Sequence, residues 1–60
     1  MKEVEQLLRE YKVIDELVVE ARIDGRFEAA DQGERALSVI RRKLWNLGIN
    51  QKTIDRLVTA

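Results

Sequence analysis

The chain of 60 residues has no cysteine, no histidine and no proline, and only three glycines. Each absence excludes something. Without cysteine there is no disulfide framework to staple a small fold, and cysteine usage says nothing about redox compartment. Without cysteine or histidine the usual ligand sets of a structural zinc site are missing. The nucleophile and base pairs built on cysteine or histidine are excluded as well. No glycine-rich loop of the kind that cradles phosphate is present. No apolar run approaches the roughly 20 residues that a membrane-spanning helix requires. The N-terminal stretch MKEVEQLLREYK interleaves charged and apolar residues, so it lacks the continuous apolar region of a signal peptide. The expectation is a cytoplasmic protein with no catalytic centre, no cofactor and no metal.

What is present is an alternation of charge and hydrophobicity: 45% hydrophobic and 37% charged residues. That is too apolar for a disordered tail. From Lys2 to Ile23, the residues Val4, Leu7, Tyr11, Ile14, Val18 and Ala21 follow a 3-4-3-4-3 spacing. This is the rhythm of a helix with one buried seam. Asp24-Gly25 reads as a turn, with either residue available as the next N-cap. A second helix is expected from Arg26 to Asn46, with Ala30, Gly33, Leu37, Ile40 and Leu44 on its seam. Gly33 costs roughly 1 kcal/mol relative to alanine inside a helix, and close approach of another helix across Ala29, Ala30, Gly33 and Ala36 would offset that cost. Leu47-Gly48 ends the second helix, and Asn50 caps a third from Gln51 to about Val58 whose apolar face is Ile54, Leu57 and Val58. The expected architecture is a single all-α domain: an antiparallel helical hairpin with a short C-terminal helix.

A chain this short hides only about 60% of the surface its unfolded form exposes, and it has no staple. Self-association into a homodimer or larger helical bundle is therefore expected. Val13, Leu17, Val19 and Val39 lie off the seams and, with Gly33, are the candidate oligomer interface. Net charge is zero, but it divides unevenly: Met1–Glu34 carries five basic and ten acidic residues, and the remainder six basic and one acidic. The two parts are suited to attract each other, within a bundle or between subunits. Arg41, Arg42, Trp45, Lys52 and Arg56 are the candidate partner-binding residues, because tryptophan and arginine are enriched among interface hot spots. The leading functional expectation is a regulator or inhibitor that acts by occupying a partner protein. A further possibility is an anionic small ligand held between subunits by arginines drawn from Arg22, Arg26, Arg35, Arg41 and Arg42.

The stretch LGINQKTIDRLV resembles the turn and second helix of a helix-turn-helix, over about 20 residues from Ile40 to Val58. Gly48 matches the turn glycine, Ile49 the apolar residue after it, and Ile54 the residue that packs back into the core. The resemblance implies that Asn50, Gln51, Lys52, Thr53 and Arg56 face a DNA major groove, with Arg41, Arg42 and Lys43 on phosphates. The position four before the turn glycine, where the family has a small residue, holds Leu44. The segment DGRFEAADQGERAL also resembles the turn of a tetratricopeptide repeat, but one copy does not make a solenoid.

A metal-free, disulfide-free fold has a direct check. The thermal unfolding midpoint is expected to stay unchanged when a chelator or a thiol reductant is added, and a midpoint lowered by either would contradict the reading.

Overall fold

The seam residues of the first segment recur on one side of a helix because a 3-4 spacing keeps returning to the same direction at 3.6 residues per turn. In the computed structural model, which describes residues 2–59, that segment is helix α1, Lys2–Ile23. Glu3 and Glu5 in its first turn and Arg22 in its last complement the helix dipole. Helices α2 (Phe27–Asn46) and α3 (Gln51–Thr59) follow. The described residues contain no strand.

Two glycines end the two long helices in the same way. Gly25 has φ +76° and Gly48 has φ +88°, the left-handed region where a side chain is strained. After α1, the Gly25 N–H donates to the Arg22 carbonyl (3.1 Å) and the Arg26 N–H to the Ala21 carbonyl (2.7 Å). After α2, the Gly48 N–H donates to the Trp45 carbonyl (3.0 Å) and the Ile49 N–H to the Leu44 carbonyl (2.9 Å). Both patterns are Schellman closures, which satisfy carbonyls that the helix end would otherwise leave open.

The first closure explains a difference from the sequence reading. Helix α2 begins at Phe27, and its N-cap position is held by Arg26, with no side-chain cap bond, rather than by Asp24 or Gly25. Gly25 is already used to end α1, and the Arg26 N–H is tied back to Ala21, so Arg26 is not yet helical (φ −88°, ψ 72°). The Asp24 carboxylate instead accepts from the Arg26 guanidinium at 3.3 Å.

Helices α1 and α2 pack against each other along their lengths, and α3 rests on α1. The buried core is Leu7, Tyr11, Val18 and Ala21 from α1, Ala30, Leu37, Ile40 and Leu44 from α2, and Ile54 from α3. Core residues nearest the turn are small, and those towards the open end are large. That is where Ile54 enters from α3, with Val4, Leu8, Ile49 and Val58 packed around the cluster. One expected core position differs: Leu57 is 47% exposed, so the apolar face of α3 is only Ile54 and Val58.

Gly33 lies in the seam between α1 and α2. A Cβ built there would collide with the Val18 Cγ2 methyl. Close approach of a neighbouring helix is therefore what this glycine permits, and the neighbour is α1 of the same chain. Gly33→Ala is expected to destabilise the fold by about 1 kcal/mol, because overpacking (~1–3 kcal/mol) exceeds the helix-propensity gain (~1 kcal/mol). In a Val18→Ala background the methyl is gone and the same substitution should stabilise. Chemical denaturation of the four variants measures both signs, and a stabilising Gly33→Ala in the otherwise unchanged chain would contradict the packing argument.

Candidate functional site

At the open end of the hairpin, α2 hands over to α3 through Leu47, Gly48, Ile49 and Asn50. The corner is held by the Schellman bonds on one side and a helix cap on the other. The Asn50 Oδ1 accepts from the Thr53 N–H at 2.8 Å, and its carbonyl accepts from the Ile54 N–H at 3.0 Å. This is the N-cap geometry in which an asparagine satisfies an otherwise orphan donor of the first turn. Ile49, between the two devices, packs against the core.

Trp45, Gly48, Ile49, Asn50 and Gln51 line a shallow, mainly apolar groove of about 300 Å³ across this corner. Trp45 is half exposed on its rim. Arg41 stands one helical turn before Trp45, partly buried, and donates from Nη2 to the Ser38 Oγ at 3.0 Å. On α3, the Gln51 amide donates from Nε2 to Asp55 Oδ1 at 2.8 Å. That bond gives Asp55, the lone acid in a basic segment, a local structural use. The Gln51 Oε1 is buried with no hydrogen-bond partner, so an N–H brought into the groove would satisfy it.

Of the candidate partner-binding residues, Arg41 and Trp45 lie on one side of α2, and Lys52 and Arg56 stand a turn apart on α3, exposed. Arg42 is exposed beside them in sequence, but 100° round the helix from Arg41. Of the arginines considered for an anionic ligand, Arg22 pairs with Glu34 at 3.1 Å and Arg26 with Asp24 at 3.3 Å. Arg35 is exposed on the outer side of α2, so the five do not converge on one point. Of the candidate interface residues, Val13, Leu17, Val19 and Val39 are each more than half exposed, whereas Gly33 faces Val18 inside the hairpin.

Sequence reasoning did not single out Ile23 and Phe27, the most exposed large hydrophobics (78% and 68%), which flank the turn. Their phase was the available signal, since both fall outside the two 3-4 seams. It also did not foresee the unpartnered Gln51 oxygen, because no sequence pattern reports which way a side-chain amide is buried.

The hairpin rearranges the charge. From the midpoint of α1 to the midpoint of α2, residues 13–36 carry seven acidic and three basic side chains, a net −4. The other residues carry four acidic and eight basic, a net +4. Antiparallel packing lays Glu16 and Glu20 beside the helix that carries Glu28, Asp31 and Glu34, so the two parts of the chain do not neutralise each other. Arg22–Glu34 is the ion pair that joins α1 to α2 among the described residues, and both partners are too exposed for it to contribute much. The result is an acidic turn end and a basic open end on a particle 35 Å long.

Among the described residues, no group of three or more histidine, cysteine, aspartate or glutamate side chains is placed to hold a metal ion, and no helix is long and apolar enough to cross a membrane. The resemblance to a helix-turn-helix holds locally at Gly48 and Asn50, but α3 rests on α1, and Leu44 is fully buried. No protein-family model matches the chain, and no curated protein or solved structure shows significant similarity to it.

Asn50→Ala is expected to cost about 1 kcal/mol. Hydrogen exchange should accelerate at the Thr53 amide and through the first turn of α3, with the amides of α1 near the turn unaffected. Unchanged exchange at Thr53 would mean that the cap does not hold the corner.

Proposed function

We propose that this chain is a small non-enzymatic interaction module, a cytoplasmic regulator or inhibitor that acts by occupying a partner protein and that works as a homodimer or larger assembly. The observation that carries the reading is Trp45 on the rim of the apolar groove, with Arg41 one turn away. Both stand on a corner pinned by the Schellman closure at Gly48 and the Asn50 cap. A rigid aromatic anchor beside an arginine loses little entropy on binding. The groove is open and shallow, so it suits a protruding side chain of another protein better than an enclosed small substrate. An incoming donor finds the Gln51 oxygen there. The basic side chains around it, Arg42, Lys43, Lys52 and Arg56, favour an acidic rim on the partner.

One observation favours a second reading. The hairpin collects Arg41, Arg42, Lys43, Lys52 and Arg56 at one end of the molecule, as a helix-turn-helix-like DNA-binding regulator requires. Two assays separate the readings. The protein-binding reading expects a specific protein captured from host extract and lost with Trp45→Ala, a weakening of at least about thirtyfold if the tryptophan is a hot spot. It also expects weak binding to a mixed-sequence DNA duplex that is indifferent to Trp45→Ala. DNA affinity that falls steeply between about 50 and 200 mM salt, and that Lys52→Glu or Arg56→Glu abolishes while no protein is captured, would replace it with the DNA-binding reading.

A further inference from the structure

Helix α1 carries a second pattern, on the side turned away from the core. Val13 and Leu17 stand one turn apart there, 56% and 57% exposed. Beside them runs a column at spacing 3-4-4: Arg9, Lys12, Glu16, Glu20, all exposed. Residues three and four apart are neighbours on a helix surface, so these four form one continuous flank. Along it the signs read basic, basic, acidic, acidic. The point between Val13 and Leu17 lies about 4 Å from the midpoint of α1, at 1.5 Å rise per residue.

We propose that two copies of this chain pair antiparallel through this face of α1, about a two-fold axis passing between Val13 and Leu17. The inference rests on the self-association put forward above and gives it a surface and a direction. Under that axis, Val13 of one copy packs on Leu17 of the other. The symmetry brings each flank against the same flank of the second copy with its direction reversed. Arg9 then comes level with Glu20 of the second copy, and Lys12 with Glu16, twice each. Glu10 shares the height of Glu20 but faces the opposite flank. The reversal also sets the acidic turn end of each copy beside the basic open end of the other, so the local column and the overall charge distribution favour one orientation. A parallel pair would place turn end beside turn end, with like charges adjacent.

Within the single chain these charges have little else to do. The pair from Arg9 Nη2 to Glu5 is 4.0 Å long and wide open to solvent, and no ion pair is formed within the chain by Lys12, Glu16 or Glu20. The accessible surface is 4678 Å², against the roughly 4,000 Å² expected for a compact monomer of 7.0 kDa. The excess comes near the ~800 Å² that one partner loses in a standard interface.

The test uses the full chain and two charge-reversed versions, Arg9→Glu with Lys12→Glu and Glu16→Lys with Glu20→Lys, each checked for helix content by circular dichroism. All four positions are exposed, so both versions should fold. Sedimentation equilibrium is expected to show the unaltered chain self-associating, and doing so less at about 0.5 M salt, where charges are screened beyond a few ångströms. Each reversed version should self-associate about tenfold more weakly or worse, and an equimolar mixture of the two should regain the lost association. Orientation is read with a spin label on Ile23→Cys in one copy, mixed with an isotope-labelled unaltered copy. Broadening should fall on the amides around Glu5–Arg9 of the isotope-labelled copy.

A mixture no tighter than its components overturns the proposal, as does broadening confined to the turn around Gly25. In the latter case self-association itself survives. A chain that stays monomeric at every concentration and salt overturns both this proposal and the assembly part of the functional reading. Capture of a protein partner through Trp45 is independent of either outcome.

Discussion

Leu44 holds the open end of the hairpin by two routes at once. Its side chain is fully buried, as is that of Ile54 from α3. Its carbonyl accepts the Ile49 N–H that turns the chain out of α2, and also the Leu47 N–H at 3.0 Å. Side-chain burial fixes where α2 stops being useful to the core, and the carbonyl fixes the direction in which the chain leaves. Gly48 supplies the one backbone conformation that makes the second route possible. Everything at the candidate site follows: Trp45 is left on the rim because its neighbour is in the core, and Asn50 falls where α3 needs a cap. A bulky core residue so close to the corner also separates this unit from a helix-turn-helix, where a small residue lets two helices cross.

The molecule divides into parts that local rules determine and parts that they do not. The seams of α1 and α2 were legible because burial on one side of a helix imposes a period, and the period is visible in Leu7, Tyr11, Val18 and in Leu37, Ile40, Leu44. Gly48 and Asn50 were legible because each satisfies a backbone requirement that few residues can meet. The start of α2 was less so. Asp24-Gly25 offered two good caps, but ending α1 had the prior claim on Gly25, and Arg26 was left at a position that its own side chain does not stabilise. Leu57 was read as core on phase alone. A nine-residue helix has room for little more than one buried contact line, and Ile54 with Val58 fills it. The candidate site was legible in composition, through Trp45 and its arginines. The groove and the unpartnered Gln51 oxygen were not, since both depend on how the corner closes.

Exposed hydrophobic residues on a small protein are not remarkable one by one. Here their arrangement separates them into groups with different neighbours. Ile23 and Phe27 flank the turn at the acidic end. Trp45 stands among cations at the other end. Val13 and Leu17 lie midway, beside a flank whose charge changes sign. A chain with no disulfide or metal to draw on has little stability to spare, so apolar surface left open is most economically explained as surface used. The same hairpin that exposes these residues also gives the particle electrically distinct ends, and each group therefore meets a different field.

The connection between α1 and α2 is three residues long, Asp24 to Arg26. Its shortness bears on how the chain finds its fold, as well as on where the helices lie. Closing so small a loop costs little entropy, and most contacts in the hairpin grow outward from it in near-neighbour order. With no proline in the chain, there is no slow peptide isomerisation to wait for. Zipping from Ala21 and Ala30 towards Leu7 and Leu44 needs no distant encounter until α3 docks. Refolding of the single chain belongs in the fast range of helical bundles, microseconds to milliseconds, with Ile54 entering last because its partners must already be in place to receive it.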